Sequence, residues 1–280
     1  IRREKNLVNQ IYDRMLENGY HGLLIEPEDA LQRATKKTLL VVCDTHTTNI
    51  IESVDLYNAC HTVVVIDHHR KMVGHIDNAV IFYHEPYASS ASEMVTELVQ
   101  YFNEKIKIGR PEAEALLAGI MLDTKNFIIK TGVRTFEAAA YLRKMGADTV
   151  EVRKLFASTM EAYQRKAKLV ANAQVYKGCA IAWSTERDDT EIQVTAAQAA
   201  DELLNISGVQ ASFLMFEQGK GVSYSARSMG QLNVQIIMEK LGGGGHHTMA
   251  GAQTPGITMD EARQRLREAI DQYFEENSRK

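Results

Sequence analysis

The sequence predicts an α/β fold, a parallel-sheet domain joined by a helical linker to a smaller α/β domain. Three observations carry this. Residues 38–43 and 62–66 are apolar at consecutive positions, as strands covered on both faces of a parallel sheet should be. Each run is followed at once by an acid, Asp44 or Asp67. The texture changes near residue 174, where strand-like runs and a hairpin signal replace charged helical segments. The expected division is 1–147 for the first domain, truncated at its N-terminus, 148–173 for the linker and 174–280 for the second domain.

The elements follow in order. Leu7, Ile11, Met15 and Leu16 recur at helical spacing, with Gly19 as the stop. Pro27 suits the first turn of a short helix through Ala34. The two buried strands come next, then a third run at 79–83. Residues 88–102, 111–122 and 135–145 read as helices, the last closed by Gly146, and the charged spacing of 148–173 reads as a helical linker. Beyond it, 175–183, 211–217 and 222–227 read as strands, with a helix over 195–205. Gln218-Gly219-Lys220-Gly221 joins the last two strands as a hairpin. A helix over 232–241 runs into four glycines and two histidines, and Thr258-x-x-Glu261 is a capping box for the final helix.

Composition narrows the function. Thirty-two Lys and Arg against 36 Asp and Glu leave a formal charge of −4, which excludes a protein that coats long nucleic acid by counterion release. An anionic ligand must therefore meet a local site. Cys43, Cys60 and Cys179 are too few and too scattered for a disulfide framework or a zinc ribbon, so a reducing compartment is expected. No apolar run approaches the ~18 residues of a membrane span. The chain opens on Ile1 without an apolar signal segment, and it reads as a fragment of a longer protein.

Ligands of open α/β sheets sit beyond the carboxyl ends of the strands, where Asp44-Thr45-His46 and Asp67-His68-His69-Arg70 fall. Asp123 adds an acid at a helix end. Asp and His without thiolate favour manganese, magnesium or iron over structural zinc, and several carboxylates in one cleft need cations to neutralise them. An Asp after a strand is otherwise a turn or capping residue. His21, His61, His75 and His84 read as surface or packing residues. In the second half, Gly242 to Gly245 with His246 and His247 suit a phosphate cradle, the alternative being a flexible linker. Arg227 can grip a phosphate, or be a surface charge.

Asp67-His68-His69, with Asp44-Thr45-His46 upstream and Leu122-Asp123-Thr124 downstream, resembles the DHH phosphoesterase superfamily. Gly242 to His246 resembles the signature of its DHHA1 domain. Residues 85–93, 122–127 and 130–137 are similar to the GdpP type of cyclic-di-AMP phosphodiesterase, and the likeness covers essentially the whole chain. The resemblance implies two Mn2+ ions, with Mg2+ or another divalent ion as substitutes, bridged by Asp44. It makes His68 and Asp123 ligands of the second ion, and makes Asp67 a support for a ligand histidine. It makes His69 a substrate-phosphate contact. Arg227, Gly243, Gly244, Gly245 and His246 would bind substrate, and Asn233 would order their loop. Two ions roughly 4 Å apart suit phosphodiester hydrolysis by water, because both charges steady the in-line displacement.

The implied activity is opening of cyclic di-AMP to 5′-pApA. Two alternatives are a nanoRNase or pApA and short-oligonucleotide hydrolase of the same superfamily, and a cyclic-dinucleotide-binding module without turnover. The family pattern also carries an earlier His-x-x-x-Asp-x-Asp motif that nothing before Asp44 matches, so these residues by themselves are expected to turn over weakly or not at all. The resemblance further implies a homodimer and a membrane-anchored parent with these domains in the cytoplasm.

Overall fold

The computed structural model describes residues 8–22, 24–102, 108–184, 186 and 191–277; Leu7 of the expected first helix lies outside them. The chain divides into two compact units, 1–157 and 158–280. In the first, α1 (Val8–Glu17) and α2 (Pro27–Arg33) precede β1 (Leu39–Cys43), α3 (Val54–Ala59), β2 (Thr62–Asp67) and β3 (Ile81–His84). Then come α4 (Ala91–Phe102), α5 (Arg110–Asp123), α6 (Val133–Lys144) and α7 (Thr149–Lys154). Pro27 and Pro111 stand in the first turns of α2 and α5, where the missing N–H costs nothing.

The three strands form a parallel sheet in the order β1-β2-β3, with Cys43 beside Ile66 and Asp67 beside His84. All three therefore end together. β2 is central, and Val63 and Val65 are fully buried with Val42 and Ile76. β1 departs from expectation. Leu39 is 55% and Val41 45% exposed, because among the described residues β1 is the outermost strand and no element covers that side of it.

A second core lies among α5, α6 and α7, around Leu117, Ile120, Leu142 and Val152. Beside it the buried Glu114 accepts from Arg14 Nη1 at 3.0 Å, Arg110 Nε at 2.8 Å and the Asp148 N–H at 3.2 Å. α4 crosses α5 at Gly119, where a Cβ would lie 2.1 Å from Ser92 Oγ.

The second unit holds α8 (Met160–Ala171), β4 (Gln174–Tyr176), β5 (Cys179–Ser184), α9 (Ile192–Leu203), β6 (Ala211–Gln218) and β7 (Gly221–Ser228). It ends with α10 (Val234–Glu239), β8 (Gly244–Gly245), β9 (Met249–Pro255) and α11 (Met259–Asn277). The residues read as a linker thus form α7, packed in the first unit through Val152, and α8, packed in the second through Leu169. The sheet runs β4-β5-β6-β7-β9-β8, parallel only between β5 and β6. Along β6 successive side chains serve opposite faces: Phe213 and Met215 meet α10 and α11, while Leu214 and Phe216 meet α8 and α9. The single strand expected over 175–183 is a hairpin instead. Lys177 and Gly178 both take positive φ, 49° and 74°, the two-residue turn that matches strand twist. The capping box is present, with Glu261 accepting from the Thr258 N–H at 2.8 Å.

The α4–α5 crossing gives a stability test. Gly119→Ala should destabilise the first unit by about 1–3 kcal/mol in urea unfolding, the usual cost of overpacking. Adding Ser92→Gly should restore most of it.

Candidate metal centre

Three elements deliver the central residues to one place. Asp44 follows β1 with its backbone left-handed, φ 62°, a conformation Asp tolerates better than most residues, and its N–H is anchored to Ile66 O at 3.0 Å. His68 follows β2. Asp123 is the last residue of α5, where Thr124 Oγ1 donates to Ile120 O at 2.7 Å and accepts from the Phe127 N–H at 2.9 Å. Lys125, Asn126 and Phe127 are all left-handed, so the chain leaves the helix in a tight reversed turn.

His68 decides the chemistry. It is 6% exposed, and its Nδ1–H points to Ala88 O at 3.3 Å, which leaves the lone pair on Nε2. That Nε2 lies 3.4 Å from Asp44 Oδ1 and 3.4 Å from Asp123 Oδ2. A nitrogen lone pair and two carboxylates thus face one another, and a cation resolves the opposition. Burial, and then repulsion from Asp44, push the Asp123 carboxyl above its ordinary pKa, as expected where negative charge is not neutralised. Ligand atoms of Asp44, His68 and His69 also lie within 4.8 Å of one another. The donor set is hard to borderline, with nitrogen and oxygen only, and it fits a divalent ion.

Asp67 supports histidines of the cluster other than His68, whose Nδ1–H goes to Ala88 O. Its carboxylate accepts from His69, through the backbone N–H at 3.2 Å and Nδ1 at 2.8 Å, and from His46 Nδ1 in a short contact. Asp67 is fully buried. Burial works to raise its pKa, yet the hydrogen bonds from His69 and His46 override that and hold it well below the usual carboxylate range. The same hydrogen bond raises the His69 pKa against the effect of burial, helped by the charges of Asp67, Asp44 and Asp123.

Sequence reasoning assigned His46 no role beyond its place in Asp44-Thr45-His46 and left His84 as a surface or packing residue. His46 is 2% exposed and its Nε2 accepts from the Met72 N–H at 3.0 Å, so its proton sits on Nδ1, toward Asp67. His84 Nε2 donates to His69 O at 2.6 Å. The missed signal was its position, since His84 ends the third strand of the set as Asp67 ends the second.

The second unit places its expected residues as follows. Arg227, on β7, is largely buried; Nη1 donates to Ala226 O at 2.9 Å, and Nε lies 3.6 Å from Asp201 Oδ1 without a hydrogen-bond partner. The glycines differ from an open cradle. The N–H groups of Gly242, Gly243 and His246 donate to Glu239, Met238 and Met249, while Gly244 and Gly245 pair with β9. A Cβ on Gly243 would lie 2.1 Å from Gly251 O, so close backbone approach is what requires glycine there. Asn233 caps α10, its side chain accepting from the Gln235 N–H at 3.1 Å.

The DHH family N-terminal domain matches residues 3–120, and the DHHA1 domain matches residues 175–276. The chain is a DHH-family protein. This DHH chain is 52% identical, over 90% of its length, to the cyclic-di-AMP phosphodiesterase GdpP of Geobacillus thermodenitrificans, covering 38% of that protein. It is 44% identical over 96% of its length to the cyclic-di-AMP phosphodiesterase PdeA of Listeria monocytogenes, covering 41% of it. The chain therefore spans about two fifths of these relatives. In fold it matches an exopolyphosphatase-related protein from Bacteroides fragilis, with a TM-score of 0.76 and 21% identity over 96% of this chain and 80% of that one.

The charge pattern predicts two titrations. A lowered carboxylate such as Asp67 contributes stability above its ordinary pKa of 3.8, lost as the pH falls through the folded value; a raised imidazole such as His69 contributes below 6.5, lost as the pH rises through its folded value. His69 should titrate above 6.5 by NMR, and Asp67→Asn should bring its midpoint down.

Proposed function

We propose that this chain is the hydrolytic part of a phosphodiesterase that opens cyclic di-AMP to 5′-pApA, with water as nucleophile and two manganese ions as cofactor. The observation that carries this reading is the His68 Nε2 lone pair set 3.4 Å from both Asp44 and Asp123. The relatives named as cyclic-di-AMP phosphodiesterases supply the substrate class.

Asp44, His68 and Asp123 would hold metal. Bound there, the ions would supply positive charge to the phosphodiester and make water a competent nucleophile near neutral pH. His69 has Nδ1 committed to Asp67, which leaves Nε2 to donate to a phosphate oxygen when the ring is protonated. The raised His69 pKa favours that form. For the second unit we propose nucleotide binding through Arg227, a largely buried guanidinium whose Nε is paired with Asp201, and through Gly243, Gly244, Gly245 and His246. The proposal extends to a homodimer and to a membrane-anchored parent with these units on the cytoplasmic side. No helix among the described residues is long and apolar enough to cross a membrane.

Product analysis on the parent protein tests the reading. Cyclic di-AMP with manganese should give 5′-pApA; a chelator should stop the reaction and manganese restore it. Asp44→Asn and His68→Ala should reduce turnover to background, while Arg227→Ala should act mainly through KM. A preference for pApA over the cyclic dinucleotide would assign a short-oligonucleotide hydrolase, and binding without product would assign a sensor.

A further inference from the structure

The backbone of His69 is held on both sides of its Cα. Its N–H donates to Asp67 Oδ1 at 3.2 Å, its ring Nδ1–H donates to the same oxygen at 2.8 Å, and its carbonyl accepts from His84 Nε2 at 2.6 Å. His84 reaches it across the sheet, since it is the register partner of Asp67 on β3. The His84 ring packs against His46 at 5.5 Å between centroids and against Phe82 at 5.6 Å. His46 secures Asp67 from the other side.

Ligand atoms of His46, Asp67 and His84 lie close enough to suggest a second ion site. The hydrogen bonds argue otherwise. His46 Nε2 accepts from the Met72 N–H and its Nδ1–H faces Asp67, while His84 Nε2–H is spent on His69 O. His46 keeps no nitrogen lone pair for a metal, and the cluster reads as a clamp.

We propose that His84 is a positioning residue: its Nε2–H, rather than its ring bulk, fixes the His69 peptide so that the imidazole presents Nε2 to the substrate phosphate. This rests on the phosphodiesterase reading for the role of His69, but the clamp itself does not depend on it. A side chain otherwise 55% exposed would sample several rotamers, and a fixed backbone with Nδ1 tied down selects among them.

Two substitutions separate the hydrogen bond from packing. His84→Gln carries an amide donor near the position of Nε2; His84→Phe keeps a ring against His46 and Phe82 and loses the donor. In the parent protein with saturating manganese, His84→Phe should lower kcat/KM for the cyclic dinucleotide about tenfold, as loss of one hydrogen bond of ordinary strength would. His84→Gln should retain most of the activity, and His84→Phe should cost nothing further in a His69→Ala background. Equal damage from both variants, or a full additional loss in that background, overturns the proposal.

The second measurement needs no turnover. In this chain with 15N-labelled histidine, His84→Phe should shift the His69 ring-nitrogen resonances and His84→Gln should leave them near wild type; no shift in His84→Phe overturns the clamp. If the wild-type parent releases no product, the phosphodiesterase reading fails while these spectra still decide whether His84 positions His69.

Discussion

A carboxylate with no access to water has to be paid for by its neighbours, and Asp67 is that carboxylate. Solvation by hydrogen bonds from His46 and His69 keeps it ionised, and meeting that demand fixes several parts of the first unit together. His46 must sit just beyond β1, His69 must turn back onto the acid that precedes it, and β1 and β2 must end level. Level ends are in turn what bring Asp44 to His68. The group of Asp44, His68 and Asp123 is thus coupled to a buried charge outside it, and α5 delivers Asp123 to His68 from its last residue.

Much of this was legible in the sequence because the signals are local. Acids after apolar runs, Pro27 and Pro111 in first turns, and the Thr258–Glu261 capping pair each act within a few residues, and each took the expected form. What was not legible depends on partners distant in sequence. Leu39 and Val41 look like core, and whether they are covered depends on elements other than their own strand. His84 looks like a surface residue until register sets it beside Asp67. Which histidines Asp67 holds has the same origin, since nothing near His68 in sequence announces that Ala88 O will take its N–H.

The glycine run shows how one signal can carry two demands. Four missing side chains suggest an open backbone, yet three amides of the segment from Gly242 to His246 are spent on capping α10 and on the turn into β9. Gly243 and Gly245 are pressed against that strand. The run is structural before it is anything else, and any contact it makes with a nucleotide must use groups left over from holding the second sheet together. Arg227 is held differently, as a largely buried guanidinium whose Nε faces the Asp201 carboxylate at 3.6 Å.

The left-handed backbone at Asp44 has a consequence for how this protein can fail. Asparagine satisfies that conformation as readily as aspartate, whereas a β-branched residue does not. Drift from aspartate to asparagine would therefore leave folding, abundance and solubility untouched while deleting the charge. Surveys of damaging variants that score expression alone would pass it as harmless.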